Sequence, residues 1–268
     1  MSTWVWGILL AGATIFLAVA GALLTRRWIG PERLKLNNEV AGFIYAVIGV
    51  VYAVLLGFSA LIVWEQYDKA IVVVEQEANK LGDLYRDAQT FPDDVRIVVE
   101  ASLRAYANLV IEKEWPAMAA GEPSPEAWKA YDQLWRIYQK FEPENEHQKI
   151  WYEESLTRMN ELGDQRRLRL LSSRAEGVPN VMWFVLLGAG AVTVSFTLLF
   201  GTTNPTAHVL MIAGLATTIA LVLFSIFAMH EPFAGITRVE PEAFEQVLRL
   251  FDLQSQTNVD TSPSPPPG

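Results

Sequence analysis

The sequence contains no cysteine, and only three of its 268 residues are histidines. The lack of cysteine excludes disulfides, thiolate metal ligands and cysteine nucleophiles. No phosphate-binding loop, nucleophile elbow, zinc-protease helix or dinucleotide fingerprint is present. One Glu-x-x-His step runs from Glu144 to His147, but a di-iron bundle needs a second such step and further inward-facing glutamates. We therefore expect no enzyme activity, no catalytic or metal-binding residues and no cofactor.

Positive charge is also scarce. The formal net charge of −9 argues against a nucleic-acid partner, which requires a basic surface. Charged side chains and histidines are missing from the centre of every long apolar run. Pumps and ion-coupled transporters usually place an ionisable residue at that depth. Their absence favours a passive pore or a membrane anchor over coupled transport.

Long apolar runs account for much of the sequence, which is 51% hydrophobic. Four of them are long enough to cross a hydrocarbon core of about 30 Å as helices rising 1.5 Å per residue. They are Trp4 to Leu24, Val40 to Val63, Val181 to Gly201 and Ala207 to Met229. The first run lacks a positively charged start and exceeds the length of a signal-peptide core, so we interpret it as a retained membrane helix.

The segment between the second and third runs is polar, with 22 acidic and 15 basic residues from 65 to 178, a net charge of −7. Apolar residues recur in it at steps of three and four, which is typical of amphipathic helices. Ser124, Pro125 and Glu126 form a helix start. An aromatic face that begins with Trp128 follows and is expected to lie in a core. Most of the charges are expected to be solvated.

These features predict an all-α membrane protein with four transmembrane helices and a four-helix water-soluble bundle inserted between the second and third. The predicted segments are transmembrane helices 1 and 2 with a basic loop (1–64), the bundle (65–178), transmembrane helices 3 and 4 (179–230), an amphipathic segment (231–253) and a disordered tail (254–268). Asn37 or Asn38 is a candidate cap for the second membrane helix.

The second membrane helix has two distinct adjacent faces. One is a stripe of small residues, which allows membrane helices to approach closely: Gly42, Ala46, Gly49, Ala53 and Gly57. The other is larger and apolar: Val50, Val54 and Phe58. Trp64 and Tyr67 are suited to anchor the helix at the membrane boundary. Two interpretations of these faces are open. Both are ordinary packing surfaces, or the larger one forms a constriction in a pore shared between subunits.

The segment VLLGFSALIVWEQY, from Val54 to Tyr67, resembles the second membrane helix of bestrophins. The longer pattern of NNEVAG, YAVLLGF, WEQYDKA and VEQEANKL is more similar to a bacterial family of bestrophin-like membrane proteins. This resemblance covers Asn37 to about Leu84, and the rest of the chain matches in layout. It implies a homopentameric channel in the bacterial inner membrane that conducts anions such as chloride.

Under this hypothesis Val50, Val54 and Phe58 form the pore neck, and Glu65 and Asp68 are vestibule charges that influence the ion. The acidic bundle would instead attract cations, so the sign of the ion stays open. The partners would be the lipid bilayer, further copies of the chain and small inorganic ions. The alternative is a non-conducting scaffold or sensor that presents the bundle to a protein partner.

The orientation in the membrane is also open. Four basic residues in the first loop place that loop inside the cell by the positive-inside rule. The resemblance instead implies a cytoplasmic bundle with both termini on the same side, and basic residues at 166, 167, 169 and 174 before the third membrane helix agree with it. We favour the cytoplasmic bundle.

Overall fold

The computed structural model of the chain describes residues 3–174 and 177–260, and every regular element within these ranges is a helix. The helices are α1 (Thr3–Ile29), α2 (Pro31–Lys35), α3 (Asn38–Ala88), α4 (Asp93–Leu109), α5 (Trp115–Met118), α6 (Pro125–Lys140), α7 (Glu146–Arg174), α8 (Asn180–Thr197), α9 (Pro205–Met229) and α10 (Glu242–Asp260). A π-helical segment, Val110–Glu114, joins α4 to α5.

Four helices among these residues are long and apolar enough to cross a membrane: α1, α3, α8 and α9. This confirms the prediction of four such helices. α3 is longer than the apolar run that predicted it, since its 51 residues continue without a break into the polar sequence. The predicted turn between α1 and α3 is also present, with Gly30 at a φ of +83° and Pro31 as the first residue of α2.

The chain divides into two compact units. Among the described residues, unit 1 contains 3–67, 177–231 and 235–237. Its core is built where α3 meets α8 and α9, and a second cluster joins α1 to α9. Asn38 does not cap α3; its side-chain amide exchanges two hydrogen bonds with the backbone of Gly201, of 2.8 and 2.9 Å. This pair fixes the start of α3 to the link between α8 and α9.

Among the described residues, unit 2 contains 68–174, 232–234 and 238–260. The predicted start of α6 is confirmed, since the Ser124 hydroxyl accepts a hydrogen bond from the Ala127 N–H. The aromatic face behaves differently from the prediction at one position. Trp128 is 53% exposed, while Tyr131 and Tyr138, three and ten residues later, are buried.

The C-terminal helix α10 belongs to unit 2 and packs on the second half of α3. The Tyr85 and Phe251 rings stack with their centroids 4.1 Å apart, and the Tyr85 and Ser255 hydroxyls lie 3.0 Å apart. The helix extends to Asp260, so residues 254–260 of the predicted disordered tail are helical. Residues 261–268 lie outside the described part of the chain.

Candidate functional site

Within unit 1, α3 buries one face. Tyr52, Leu56 and Val63 pack against α8 and α9, and Ser59 is buried on the same side. The contact at Tyr52 is close, because a Cβ on Gly190 of α8 would approach the tyrosine hydroxyl to 2.6 Å. Only a residue without a side chain lets the two helices meet at this point. This buried face is the packing surface of α3 inside the protomer.

The residues of the predicted neck lie on the opposite face. Val50, Val54 and Phe58 are 65%, 50% and 63% exposed. At about 100° of rotation per residue, the mean direction of these three side chains is roughly 170° from that of the buried set. Phe43, Val47 and Leu61 extend the same exposed apolar face. No other part of the described protomer covers it.

The predicted small-residue face lies between these two, about 90° to 100° from each. Its three glycines, Gly42, Gly49 and Gly57, have no atom within 4 Å of an added Cβ. Ala46 and Ala53 are exposed as well. The stripe therefore makes no close helix contact within the described part of the protomer, and its role as a packing surface stays a prediction.

The predicted charges and anchors follow along α3. Trp64, Glu65 and Asp68 are exposed, and Tyr67 is partly buried. By helical spacing Glu65 continues the neck face, since it lies four residues after Leu61 and seven after Phe58. The face therefore changes from apolar to acidic within about one turn.

The buried face of α3 was missed by the sequence analysis, although the sequence carries a signal for it. Tyr52, Leu56, Ser59 and Val63 recur at steps of four, three and four, as a single buried stripe requires. Apart from two tyrosines, every residue of the membrane run is apolar or small, so hydrophobicity alone does not distinguish this face from the others. The polar atoms of Tyr52 and Ser59 were the available indication.

Unit 2 contains a buried ionic network of five side chains. Arg169 donates to Glu77 through Nε at 2.6 Å and through Nη2 at 3.0 Å, and Nη2 also reaches Glu114 at 2.7 Å. Arg166 donates to the other oxygen of Glu114 at 2.5 Å, and the Tyr106 hydroxyl donates to Glu77 at 2.6 Å. All five side chains are at most 2% exposed.

The electrostatics of the network keep its charges in place. Burial alone would lower the pKa of Arg169, but the negative charge of Glu77 and Glu114 outweighs burial and raises it above its ordinary value. Burial and the neighbouring Glu77 raise the pKa of Tyr106 well above its ordinary value, so its hydroxyl remains a donor. Two carboxylates balance two guanidiniums, which is how buried charge is tolerated. The network holds α3, α4, the π-helical segment and α7 together.

No group of three or more histidine or acidic side chains within residues 3–174 and 177–260 is arranged to hold a metal ion.

Four apolar spans and an exposed apolar face on the longest of them define an all-helical membrane protein. The Bestrophin-like domain model matches residues 12–244. The chain belongs to the Bestrophin-like family.

The fold is similar to that of several solved structures. A point mutant of a bacterial Bestrophin homolog from Klebsiella pneumoniae aligns with a TM-score of 0.69 at 11% identity, covering 91% of this chain and 98% of that one. A second point mutant of that homolog gives 0.66 at 10% identity, with 90% and 98% covered. A variant described as a membrane protein gives 0.67 at 12% identity, with 90% and 97% covered. No curated protein matches the sequence significantly.

Proposed function

We propose that the chain forms a homo-oligomeric channel for the passive conduction of small inorganic ions, with α3 lining the pore. The observation that carries this proposal is the exposed face of α3. Val50, Val54 and Phe58 project opposite to the face that packs inside the protomer. In a ring of subunits, a helix that packs on its own protomer from one side has its opposite side available to line the axis. Family membership and the likeness of fold support the same assignment.

The small-residue face supports a ring because it lies at the flank between the packed and the exposed faces. A heterologous contact joins one flank of a subunit to a different surface of the next, and repetition of it closes a ring. Gly42, Gly49 and Gly57 are open in the protomer and would let a neighbouring helix approach closely. We propose a pentamer, the number that the bestrophin resemblance implies.

The neck is apolar, so its barrier to ions is a dewetting barrier. Its height depends on the radius and on the bulk of the apolar side chains. Phe58→Ala and Val54→Ala each widen the ring and should increase the current through the purified channel in planar bilayers. Matched controls are Phe184→Ala and Val181→Ala on α8, since Phe184 is 80% and Val181 77% exposed on a different helix.

The acidic residues after the neck should set the preference between cations and anions. Glu65→Gln and Asp68→Asn each remove one negative charge per subunit. The reversal potential in a salt gradient should move toward greater anion permeability in both variants, whichever ion the wild type prefers. The sign of the wild-type reversal potential decides between chloride, which the resemblance implies, and a cation, which the acidic residues favour.

Two results would contradict the channel. One is the absence of current from wild type and from both neck variants, and the other is a monomer or dimer by mass in detergent. Either result would favour the alternative of a non-conducting scaffold or sensor. If the control variants on α8 increased the current as much as the neck variants, conduction would stand but α3 would not line the pore.

We further propose that unit 2 is the water-soluble bundle inserted between the second and third membrane spans and that it lies in the cytoplasm of a bacterial cell, with the spans in the inner membrane. The exposed charges of unit 2, which surround its buried ionic network, support a water-facing domain, because they would be costly in lipid. A reporter fused after Ala120 tests the orientation. Activity of a reporter that works only outside the cytoplasm would reverse it.

A further inference from the structure

A groove in unit 2 combines apolar walls with positive charge, in a segment that is acidic as a whole. It lies between the start of α6 and the last turns of α7 and has a volume of about 530 Å³. Four cationic residues line it: Lys129, Arg166, Arg167 and Arg174. Within the described chain, no acidic residue lines it.

Two of these cations form no salt bridge with another residue that the structure describes. Lys129 makes no ion pair among the residues that the structure describes, and Arg174 donates its Nε to the backbone carbonyl of Gly121 at 2.9 Å. Arg167 pairs with the exposed Asp164. Glu126 interacts electrostatically with Lys129, but its carboxylate accepts the Ser124 hydroxyl at 2.9 Å and does not line the groove. The groove therefore has a net positive charge.

Arg166 adds a second, independent observation. It lines the groove, is only 2% exposed, and its Nε has no hydrogen-bond partner within the described part of the chain. Its Cζ lies 5.0 Å from the centroid of the Trp128 ring. Buried donors are nearly always satisfied, so an acceptor bound in the groove would complete the hydrogen bonding of this guanidinium.

The apolar walls of the groove are exposed, although other residues of the aromatic face of α6 are buried. Trp128 is 53% and Leu171 62% exposed, and both line the groove with Pro125 and Leu170. A free inorganic anion would satisfy the cations and leave this apolar surface in water. A neutral apolar ligand would leave the cations unused. An anionic head attached to an apolar body satisfies both, and the volume is typical of a ligand site.

The position of the groove in the sequence favours a lipid as the source of this ligand. Arg174 is the last residue of α7, and α8, an apolar span, begins six residues later at Asn180. Clusters of four or more basic residues next to a membrane span typically bind anionic lipid headgroups. We propose that the groove binds an anionic phospholipid, with its phosphate at Lys129, Arg166 and Arg174 and the apolar part of the lipid against Trp128 and Leu171.

The test uses the purified full-length protein in detergent, titrated with phosphatidylglycerol, and native mass spectrometry to count the lipids bound per subunit. The double variant Lys129→Gln and Arg174→Gln removes the two unneutralised charges and keeps polar side chains. Affinity should fall about fivefold for each cation removed. Trp128→Ala should also weaken binding. The matched control, Arg136→Gln, removes an exposed cation of α6 outside the groove and should leave the affinity unchanged.

Three results would overturn the proposal: equal binding of zwitterionic phosphatidylcholine, an unchanged affinity in the double variant, or an equal loss in Arg136→Gln. Competition with soluble glycerol phosphate distinguishes a lipid headgroup from a free phosphate ester as the source of the anion. Displacement of the lipid at equal concentration would assign the groove to a free phosphate ester instead of a lipid. Lipid counting needs no ion current, so a non-conducting protein would leave this inference standing.

Discussion

Replacement of Arg169 by methionine is the most severe single test of the fold of unit 2. Arg169 is fully buried and donates to both carboxylates of the ionic network, Glu77 and Glu114. Its Nη1 lies 2.7 Å from the Met118 sulfur, so the far end of the side chain lies partly among apolar atoms. Arg169→Met keeps an unbranched side chain at the site and removes the charge.

The loss is large because it leaves buried negative charge without a counterion. Glu114 keeps its contact with Arg166, but Glu77 keeps, among the side chains that the structure describes, only the hydroxyl of Tyr106. Breaking a buried ion pair by removing one partner costs about 3–5 kcal/mol, a large part of the roughly 5–15 kcal/mol that stabilises a domain. At about 3 °C per kcal/mol, the unfolding midpoint of unit 2 should fall by about 10–15 °C.

Thermal unfolding of the detergent-solubilised protein measures this shift. The quantity recorded is the fraction of protein that remains monodisperse after heating to each temperature. The matched control is Arg136→Met, because Arg136 forms an exposed salt bridge of 2.6 Å with Asp132 on α6. Exposed pairs of this kind contribute about 0–1 kcal/mol. The control should therefore shift the midpoint by less than about 3 °C.

A second substitution separates charge from packing. Glu77→Gln added to Arg169→Met removes the stranded charge and leaves an oxygen to accept from Tyr106. The double variant should recover part of the lost stability, because a neutral group costs less to bury than an unpaired carboxylate. Equal midpoints for Arg169→Met and Arg136→Met would refute the electrostatic reasoning. A double variant less stable than the single one would refute the assignment of the loss to Glu77.

Two further predictions concern unit 2. Gly163→Ala should destabilise it by about 1–3 kcal/mol, because the new Cβ would collide with the Tyr131 hydroxyl, whereas Gly82→Ala meets only a Leu250 methyl at 4.0 Å and should not destabilise; the unfolding midpoints of the two variants decide this. Burial raises the pKa of Asp87 from 3.8 to about 6, so its contribution to stability is greatest below about pH 4 and is lost as the pH rises through 6. The difference in midpoint between wild type and Asp87→Asn should change across that window, and a constant difference would contradict the shift.

The membrane helices could be predicted because their signal is strong and local. From Val40 to Val63 the sequence has 24 residues without a charge, and a single polar start signal at Ser124 was enough to locate α6. The orientation of side chains around α3 could be predicted only in relative terms. Spacing separates the small face from the larger one, but which face meets α8 depends on Gly190, far away in the sequence.

The ionic network could not be predicted from composition, since composition does not distinguish a buried charge from a solvated one. Glu77 and Arg169 are 92 residues apart, and no local pattern pairs them. A weaker signal was present on α7. Ser155, Met159, Leu162, Arg166 and Arg169 recur at steps of four and three and are all buried. Two arginines at core positions of such a stripe indicate buried partners of opposite charge.

The glycines of α3 also bear on oligomerisation. In a helix interior each glycine costs roughly 1 kcal/mol relative to alanine, and lipid gives no compensating gain for a smaller side chain. Gly190 on α8 is explained inside the protomer by its contact with Tyr52, but Gly42, Gly49 and Gly57 have no neighbour there. A helix packed closely against this face would offset their cost. In the channel that we propose, a second copy of the chain supplies such a helix, and Val50, Val54 and Phe58 face the shared axis.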